Sequence, residues 1–387
     1  MELVVVGTES DNPFAIDVAH ALGQVEEVAD LISLRSFANR EFCPSFIPSN
    51  QNEAGFGLEN KTVVIVSTAS GHASRDALAM RTLIVARAAR DNGAKDVILI
   101  EPDLFYSAQD RGPRLSQGEM NFNRDARDLA KFDGQAFSAR LYAECLREAG
   151  VSGTVTIHNH SESVGKEFER CMDWGYHNLS PDAVFAHYIQ DSDVLNVGDN
   201  GSNLVICAPD AGAAEFATSM RNALGYQNTK ILEFKKERFG ERSVKAQVAD
   251  GSEVDVSDID GKDVLIVDDM VRTGSTIMEC CKRLREGNPR RVVFAVTHFY
   301  SSDECRAVLS RNILDEIITT NTVPTILNRD MQGRLRKKMV VLKVEKWLAH
   351  FVMDQLGMLS TLGVDDIYAT DMSSKNPRWQ RHWSPGS

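Results

Sequence analysis

The sequence lacks several features that would assign it to a specialised class of protein. Its seven cysteines include no Cys-x-x-Cys pair, so neither a structural zinc site nor a disulfide scaffold is indicated. No apolar run approaches the roughly 18 residues of a membrane-spanning helix. Residues 1–7 have neither the basic start nor the apolar core of a signal peptide. We therefore expect a cytoplasmic protein with reduced thiols and no membrane association.

Basic residues are also in short supply. Lys and Arg number 43 against 55 Asp and Glu, which gives a formal net charge of −12. An acidic surface repels polyanions, so this balance argues against nucleic-acid binding. It does not argue against small nucleotides, because a phosphate site needs only local positive groups.

Short β-branched runs alternate with helical patterns along most of the 387 residues. This alternation predicts an α/β fold in which helices flank parallel sheets. We expect strands at 3–6, 62–67, 96–100, 154–158, 204–208, 230–234, 264–267, 291–297, 316–319 and 340–344. A second strand–helix unit begins near residue 160, which suggests domains 1–160 and 161–356 and a C-terminal extension 357–387. The polar stretch 110–134 is expected to be a mobile loop, since loops of this length are usually functional or mobile.

The strongest local signal lies at residues 264–277, which read Val-Leu-Ile-Val-Asp-Asp-Met-Val-Arg-Thr-Gly-Ser-Thr-Ile. A buried strand runs into Asp268 and Asp269, whose carboxylates can accept hydrogen bonds from ribose hydroxyls. The turn that follows offers backbone N–H groups and hydroxyls to a phosphate at the start of a helix. It is not a Walker A loop, because no Gly-Lys-Ser/Thr is present. The alternative is structural: the aspartates end a strand and Thr273 caps a helix.

This string resembles the phosphoribosyl pyrophosphate motif of type I phosphoribosyltransferases. Other segments resemble, in order, those of the ribose-phosphate pyrophosphokinase (phosphoribosyl pyrophosphate synthetase) family. They are Phe-Ala-Asn-Arg-Glu at 37–41, Tyr-Ser-Ala-Gln-Asp-Arg at 106–111, Ile-His-Asn-His at 157–160, Pro-Asp-Ala-Gly at 209–212, Phe-Lys-Lys-Glu-Arg at 234–238 and Thr-Asn-Thr-Val-Pro at 320–324. The resemblance covers roughly residues 1–355.

The resemblance implies two type I phosphoribosyltransferase-like domains, with the active site between them. It implies Mg²⁺ as cofactor, held by His160 and Asp210, and catalytic cations at Lys236 and Arg238. The ribose-phosphate-binding residues would be Asp268, Asp269, Arg272, Thr273, Gly274, Ser275 and Thr276. The ATP-binding residues would be Phe37, Asn39, Glu41, Gln109 and Asp110. In this family the adenine loop comes from a neighbouring subunit, so a homo-oligomer is implied.

Three positions depart from the family pattern. Ala108 replaces an arginine near the adenine, and Glu215 falls where a lysine is common. Arg272 stands in the phosphate loop where the family usually has an acid. Arg272 either faces the sugar-phosphate site or turns outward to pair with Glu279 or a neighbouring chain.

The reaction implied is transfer of the β,γ-diphosphate of Mg-ATP to the anomeric hydroxyl of ribose 5-phosphate, giving phosphoribosyl pyrophosphate and AMP. One alternative keeps this chemistry for a bulkier ribosyl phosphate such as ADP-ribose. Another is a non-catalytic regulatory homologue, against which His160, Asp210, Lys236 and Arg238 weigh. A type I phosphoribosyltransferase is disfavoured by the adenine-loop motif.

Overall fold

The computed structural model describes residues 2–9, 11–47, 56–120, 122–239, 243–360, 363 and 367–368. For residues 236–239, 243–245 and 329 it describes the backbone alone. The chain forms two compact units, Met1–Leu179 with Glu345–Gly363, and Ser180–Val344 with Val364–Ser387. Most of the extension expected at 357–387 lies outside the described residues.

The first unit is built on a parallel sheet with strand order β1-β4-β5-β6-β7. Its strands are β1 (Leu3–Gly7), β4 (Thr62–Val66), β5 (Asp96–Ile100), β6 (Gly153–Ile157) and β7 (Gly175–Leu179). An antiparallel hairpin, β2 (Ile32–Ser36) and β3 (Phe42–Phe46), stands apart from this sheet. Because β7 pairs with β6, the first unit extends to Leu179, beyond the boundary expected at 160.

The first unit also contains helices, several of which bury an apolar stripe against the sheet. They are α1 (Pro13–Ala21), α2 (Val28–Leu31), α3 (Arg75–Asp91), α4 (Ala126–Lys131), α5 (Ser138–Ala149), α6 (Glu162–Cys171) and α12 (Glu345–Gln355). Leu78 of α3, Leu146 of α5 and Phe168 of α6 are buried in one core with Val63 and Leu99 of the strands. The helix α12 packs against α1, so the segment Glu345–Gly363 returns to the first unit.

The second unit contains a larger sheet with strand order β10-β9-β8-β11-β12-β13-β14. Its strands are β8 (Leu204–Ala208), β9 (Lys230–Phe239), β10 (Ser243–Val248), β11 (Asp263–Val271), β12 (Arg291–Phe299), β13 (Glu316–Thr320) and β14 (Met339–Leu342). All neighbours are parallel except β9 and β10, which form an antiparallel pair. Its helices are α7 (Asp182–Asp191), α8 (Ala214–Leu224), α9 (Ser275–Arg285), α10 (Asp303–Leu309) and α11 (Arg329–Gln332).

The order of strands reverses direction between β8 and β11. After β8 the chain passes through α8 to β9 on one side, then returns to place β11 on the other side of β8. The connections therefore diverge and leave a crevice at the carboxyl ends of β8 and β11. In open α/β sheets, ligands bind at such a reversal.

The α/β class and the strands expected from the sequence are confirmed. Strands β2, β3, β7 and β10 were not expected. The β7 segment, Gly-Tyr-His-Asn-Leu, is too polar to show a strand pattern. It lies at the edge of its sheet. Within the described residues, the helices are all too short or too polar to cross a membrane.

Candidate active site

Three carboxylates lie at the reversal in the second sheet. Asp210 lies two residues after the end of β8. Asp268 and Asp269 occupy the second half of β11, which continues further than expected, to Val271. Burial, and then the neighbouring charges of Asp269 and Asp210, raise the pKa of Asp268 well above its usual range. The backbone N–H of Asp269 donates to the Asp268 carboxylate at 3.0 Å. The structure thus brings together three acidic side chains whose mutual repulsion a cation or sugar hydroxyls would relieve.

A turn between β11 and α9 forms the candidate phosphate loop. Gly274, with φ of 78°, precedes Ser275, the first residue of α9. The hydroxyls of Thr273 and Ser275 lie 3.1 Å apart, and the side chains of both residues are exposed. The loop therefore presents hydroxyls and the first N–H groups of a helix on the same edge of the sheet as Asp268. This is the arrangement that a phosphate group needs.

The helix α10 contacts this loop through its N-cap residue and its last residue. The Ser302 hydroxyl donates to the Arg272 carbonyl at 2.9 Å and accepts from the Cys305 N–H at 3.1 Å, which caps α10. A Cβ at Gly274 would lie 3.1 Å from Leu309 of the same helix. The loop is thus fixed on both sides of Thr273. Sequence reasoning missed Ser302: residues 301–304, Ser-Ser-Asp-Glu, predict a helix start, but nothing in them predicts a contact with residue 272.

The side chain of Arg272 is exposed on the loop. The carboxylate of Glu279, which was considered as its partner, forms an ion pair with Lys282 at 2.5 Å.

A second buried cluster, also missed from the sequence, adjoins the end of β12. Here the His298 Nδ1 and Thr322 Oγ1 lie 3.0 Å apart, and the Thr320 and Thr322 hydroxyls both donate to the carbonyl of Thr297. The segment Thr-Asn-Thr-Val-Pro at 320–324 is therefore held inside the second unit by its hydroxyls. Its polar residues signal such bonds, but their partners come from a strand more than twenty residues earlier.

The expected catalytic residues Lys236 and Arg238 lie on β9, opposite Ala246 and Val244 of β10. Their side chains lie outside the described part of the chain. The neighbouring Lys235, by contrast, forms an ion pair with Asp250 at 3.1 Å, which fits a structural role.

The expected adenine loop is the tip of the β2–β3 hairpin in the first unit. Phe37 is 53% exposed there, and Asn39 and Glu41 are also exposed. The Phe37 N–H donates to the Glu41 carbonyl at 2.9 Å, and the Glu41 N–H donates to the Asn39 side chain at 3.2 Å. Arg40 closes the turn with a φ of 70°. An aromatic ring and polar groups therefore project together from a small hairpin.

The other expected nucleotide residues follow β5. Gln109 is exposed, and its carbonyl accepts from the Ala139 N–H at 3.3 Å. Asp110 is buried, with its carboxylate 3.2 Å from Arg111 and its carbonyl bound by the Ser163 hydroxyl at 3.0 Å. The segment 110–134, expected as a mobile loop, contains α4 and several buried polar contacts.

The expected metal ligands fall in different units. His160 is exposed after β6 in the first unit, and Asp210 is in the second. His158, two residues earlier, has a φ of 47°, a conformation that costs energy for a non-glycine residue and occurs often at functional sites. Within the described residues, no group of three or more His, Cys, Asp or Glu side chains could hold a metal ion. A single carboxylate such as that of Asp210 is still an oxygen ligand of the kind that Mg²⁺ takes, since this ion usually binds one or two carboxylates together with substrate phosphates and water.

Comparisons with known proteins agree with this geometry. Residues 185–325 match the model of the phosphoribosyl transferase domain family. The chain is 28% identical over 332 residues to ribose-phosphate pyrophosphokinase 5 of Schizosaccharomyces pombe, covering 83% of this chain and 87% of that protein. It is 27% identical over 299 residues to ribose-phosphate pyrophosphokinase of Corynebacterium efficiens, covering 76% and 77%.

The fold also has a solved relative. The structure of phosphoribosylpyrophosphate synthetase from Mycobacterium smegmatis matches with a TM-score of 0.68 and 22% identity, over 92% of this chain and 99% of that one. The likeness to the solved structure thus extends over both compact units. The chain is thus similar to ribose-phosphate pyrophosphokinases along most of its length.

Proposed function

We propose that the chain transfers the β,γ-diphosphate of Mg-ATP to the anomeric hydroxyl of ribose 5-phosphate, giving phosphoribosyl pyrophosphate and AMP. One observation carries the proposal: the acidic cluster and the hydroxyl-rich turn occupy the same edge of the second sheet, at its reversal. Asp268 and Asp269 suit the vicinal ribose hydroxyls, and the turn through Thr276 suits the 5-phosphate.

The remaining groups are assigned to ATP and to the transferred diphosphate. Phe37 would stack on the adenine, and Asn39 and Glu41 would contact the edge of the base. Gln109 and Asp110 would line the site of the same nucleotide. The exposed hairpin tip suits a loop that reaches a neighbouring subunit, so a homo-oligomer belongs to the proposal. A cytoplasmic location fits as well, because all seven cysteines are free thiols.

Catalysis would depend on positioning and electrostatics. Lys236 and Arg238, both on β9, would stabilise negative charge as the bond between the β-phosphorus and the α-phosphate oxygen breaks. The anomeric hydroxyl, held by the ribose contacts of Asp268 and Asp269, attacks the β-phosphorus. Mg²⁺ bound through Asp210 and His160 would neutralise phosphate charge and make the β-phosphorus more electrophilic.

The test is turnover with a panel of acceptors. Purified protein is mixed with Mg-ATP and either ribose 5-phosphate or ADP-ribose, and AMP release is followed. AMP formed only with an acceptor supports the proposal. A folded protein that binds ATP yet forms no AMP with any acceptor supports the regulatory homologue instead.

A bulkier acceptor is favoured by one observation, the exposed cation at Arg272 on the phosphate loop. A guanidinium can bind a phosphate through two hydrogen bonds. A hydrogen bond to a charged group contributes roughly 1.5–3 kcal/mol to the free energy of binding. We expect Arg272→Asp to lower kcat/KM for ADP-ribose about tenfold more than for ribose 5-phosphate. Equal losses, or no use of ADP-ribose by the wild type, would leave ribose 5-phosphate as the acceptor.

A further inference from the structure

The segment 110–134 is organised around the side chain of Arg124. This residue is only 8% exposed. Its Nη1 donates to the carbonyls of Arg114 at 3.0 Å and Gln117 at 2.7 Å, and its Nη2 donates to the carbonyl of Gly112 at 2.6 Å. One planar guanidinium thus satisfies three backbone carbonyls and folds residues 112–117 around itself. Residues 112–117 therefore form a turn whose backbone carbonyls are held by one side chain.

A chain of charged contacts connects this turn to Asp110. The Arg124 Nε donates to the Asp128 carboxylate at 2.7 Å, and the other oxygen of Asp128 accepts from Arg111 at 3.1 Å. Arg111 in turn contacts the Asp110 carboxylate at 3.2 Å. Both guanidinium groups lie over the Phe132 ring, at 4.7 and 5.5 Å from its centroid. The hydrogen bond from Arg124 is the largest cause that lowers the pKa of Asp128, so the charge of this link is retained.

The backbone of the turn also packs directly on Asp110. Gly118 adopts a φ of +98°, and a Cβ there would lie 2.6 Å from the Asp110 carbonyl oxygen. That carbonyl is held from the other side by the Ser163 hydroxyl on α6. The position of Asp110, and with it that of the adjacent exposed Gln109, therefore depends on the turn that Arg124 holds.

We infer that Arg124 is a positioning residue for the nucleotide, acting through Asp128 and Arg111 on Asp110 and Gln109. The inference rests on the proposed function, which assigns these last two residues to ATP. A lysine keeps the charge at residue 124. It lacks the planar set of donors that reaches three carbonyls and a carboxylate together, so Arg124→Lys separates geometry from charge.

The experiment compares Arg124→Lys with Arg127→Lys, a matched control. Arg127 is exposed, lies on α4 three residues after Arg124, and joins none of these hydrogen bonds. We expect Arg124→Lys to raise the KM for ATP about tenfold while the KM for ribose 5-phosphate changes less than about twofold. Arg127→Lys should leave both constants unchanged. An equal rise in both KM values for Arg124→Lys would indicate general loosening of the protein and would overturn the inference.

Two measurements do not depend on turnover. Titration calorimetry with ATP alone should show the same tenfold loss for Arg124→Lys, and trypsin should cut after Arg114 faster than in the control variant. Unchanged ATP affinity in the folded Arg124→Lys protein would overturn the inference. Wild-type protein that binds ATP without forming AMP would contradict the proposed function but leave this inference standing, whereas wild-type protein that binds no ATP would contradict both.

Discussion

The two units use the same α/β construction but differ in the order of their strands. In the first sheet the described strands β1, β4, β5, β6 and β7 lie side by side in chain order. In the second sheet the order reverses between β8 and β11. The reversal leaves a crevice between diverging connections, and there the second unit has Asp210, Asp268 and the phosphate loop. The first unit instead presents its candidate ligand-binding groups on projecting segments, the hairpin tip at Phe37 and the turn after β5.

This difference shows how a shared construction can be assigned two tasks. A sheet with a reversal offers a fixed anion and hydroxyl site formed by strand ends, which suits the small sugar phosphate. The first sheet has no such reversal among its described strands. Its candidate binding groups therefore lie on additional segments, and such segments suit the larger nucleotide. The phosphoribosyl transferase domain match covers residues 185–325, which lie in the second unit.

The largest expected effect concerns Lys236 on β9, the residue proposed as the catalytic cation of the second unit. Lys236→Ala should lower kcat on the order of 10²–10³-fold, because it removes a group that stabilises charge in the transition state. Lys235→Ala is the control, since Lys235 is the adjacent lysine and forms an ion pair with Asp250. Steady-state rates of AMP formation measure both. Near-normal turnover in Lys236→Ala would assign the catalytic cation elsewhere.

A buried acid in the first unit gives a pH prediction. Glu101 accepts hydrogen bonds from the Phe105 N–H at 2.9 Å and the Tyr142 hydroxyl at 3.0 Å, and burial raises its pKa to about 8. The folded protein therefore keeps this proton up to about pH 8, whereas the unfolded chain releases it near pH 4.5. The stabilising contribution is complete below pH 4.5 and is lost as the pH rises towards and through 8, on the order of a few kcal/mol.

Glu101→Gln should flatten this decline, because the amide keeps a hydrogen-bond acceptor and cannot ionise. Denaturant unfolding at pH 5 and pH 8 measures the change, with the exposed Glu148→Gln as control. Parallel pH profiles for Glu101→Gln and the wild type would mean that Glu101 is not held protonated.

The hairpin tip provides a test with a smaller effect. Phe37→Ala should raise the KM for ATP roughly tenfold by removing a stacking surface worth about 1 kcal/mol or slightly more. Because Phe37 is 53% exposed, the free energy of unfolding should change little. Phe56→Ala, at a side chain that is 66% exposed, serves as the control. If the KM for ribose 5-phosphate rose instead, the assignment of nucleotide to the first unit would be wrong.

The support behind the phosphate loop should give the smallest effect. Ser302→Ala removes the hydrogen bond to the Arg272 carbonyl and the cap of α10, which costs about 1 kcal/mol of stability. We expect the KM for ribose 5-phosphate to rise several-fold and the KM for ATP to stay constant. Ser302→Thr, which keeps the hydroxyl, should restore the wild-type value. A change in the KM for ATP alone would contradict this account.

Much of the second unit could be predicted from the sequence because its signals are local. The strand into Asp268 and the turn at Gly274 lie within a few residues of each other, so one short string indicates both. The reversal beside β8 could not be predicted, because strand order depends on packing between distant segments. For the same reason the contact between Ser302 and Arg272 spans thirty residues and leaves no local pattern.

The first unit was harder to predict. The hairpin β2–β3 has Pro44 in its second strand, and proline disfavours a strand assignment. The segment 110–134 is polar and was expected to be mobile, but its polarity consists partly of Arg124 and Asp128, which are buried against each other. Composition alone cannot distinguish a solvated polar loop from one whose charges satisfy its own backbone.

The most direct test of the central claim is the fate of the β-phosphorus. Wild-type protein is incubated with Mg²⁺, ribose 5-phosphate and ATP labelled at the β-phosphorus, and the products are separated. We predict that the label moves to the sugar as part of a diphosphate, with unlabelled AMP formed in equal amount. Label that remains on the nucleotide as ADP would show transfer of the γ-phosphate alone and would contradict the account.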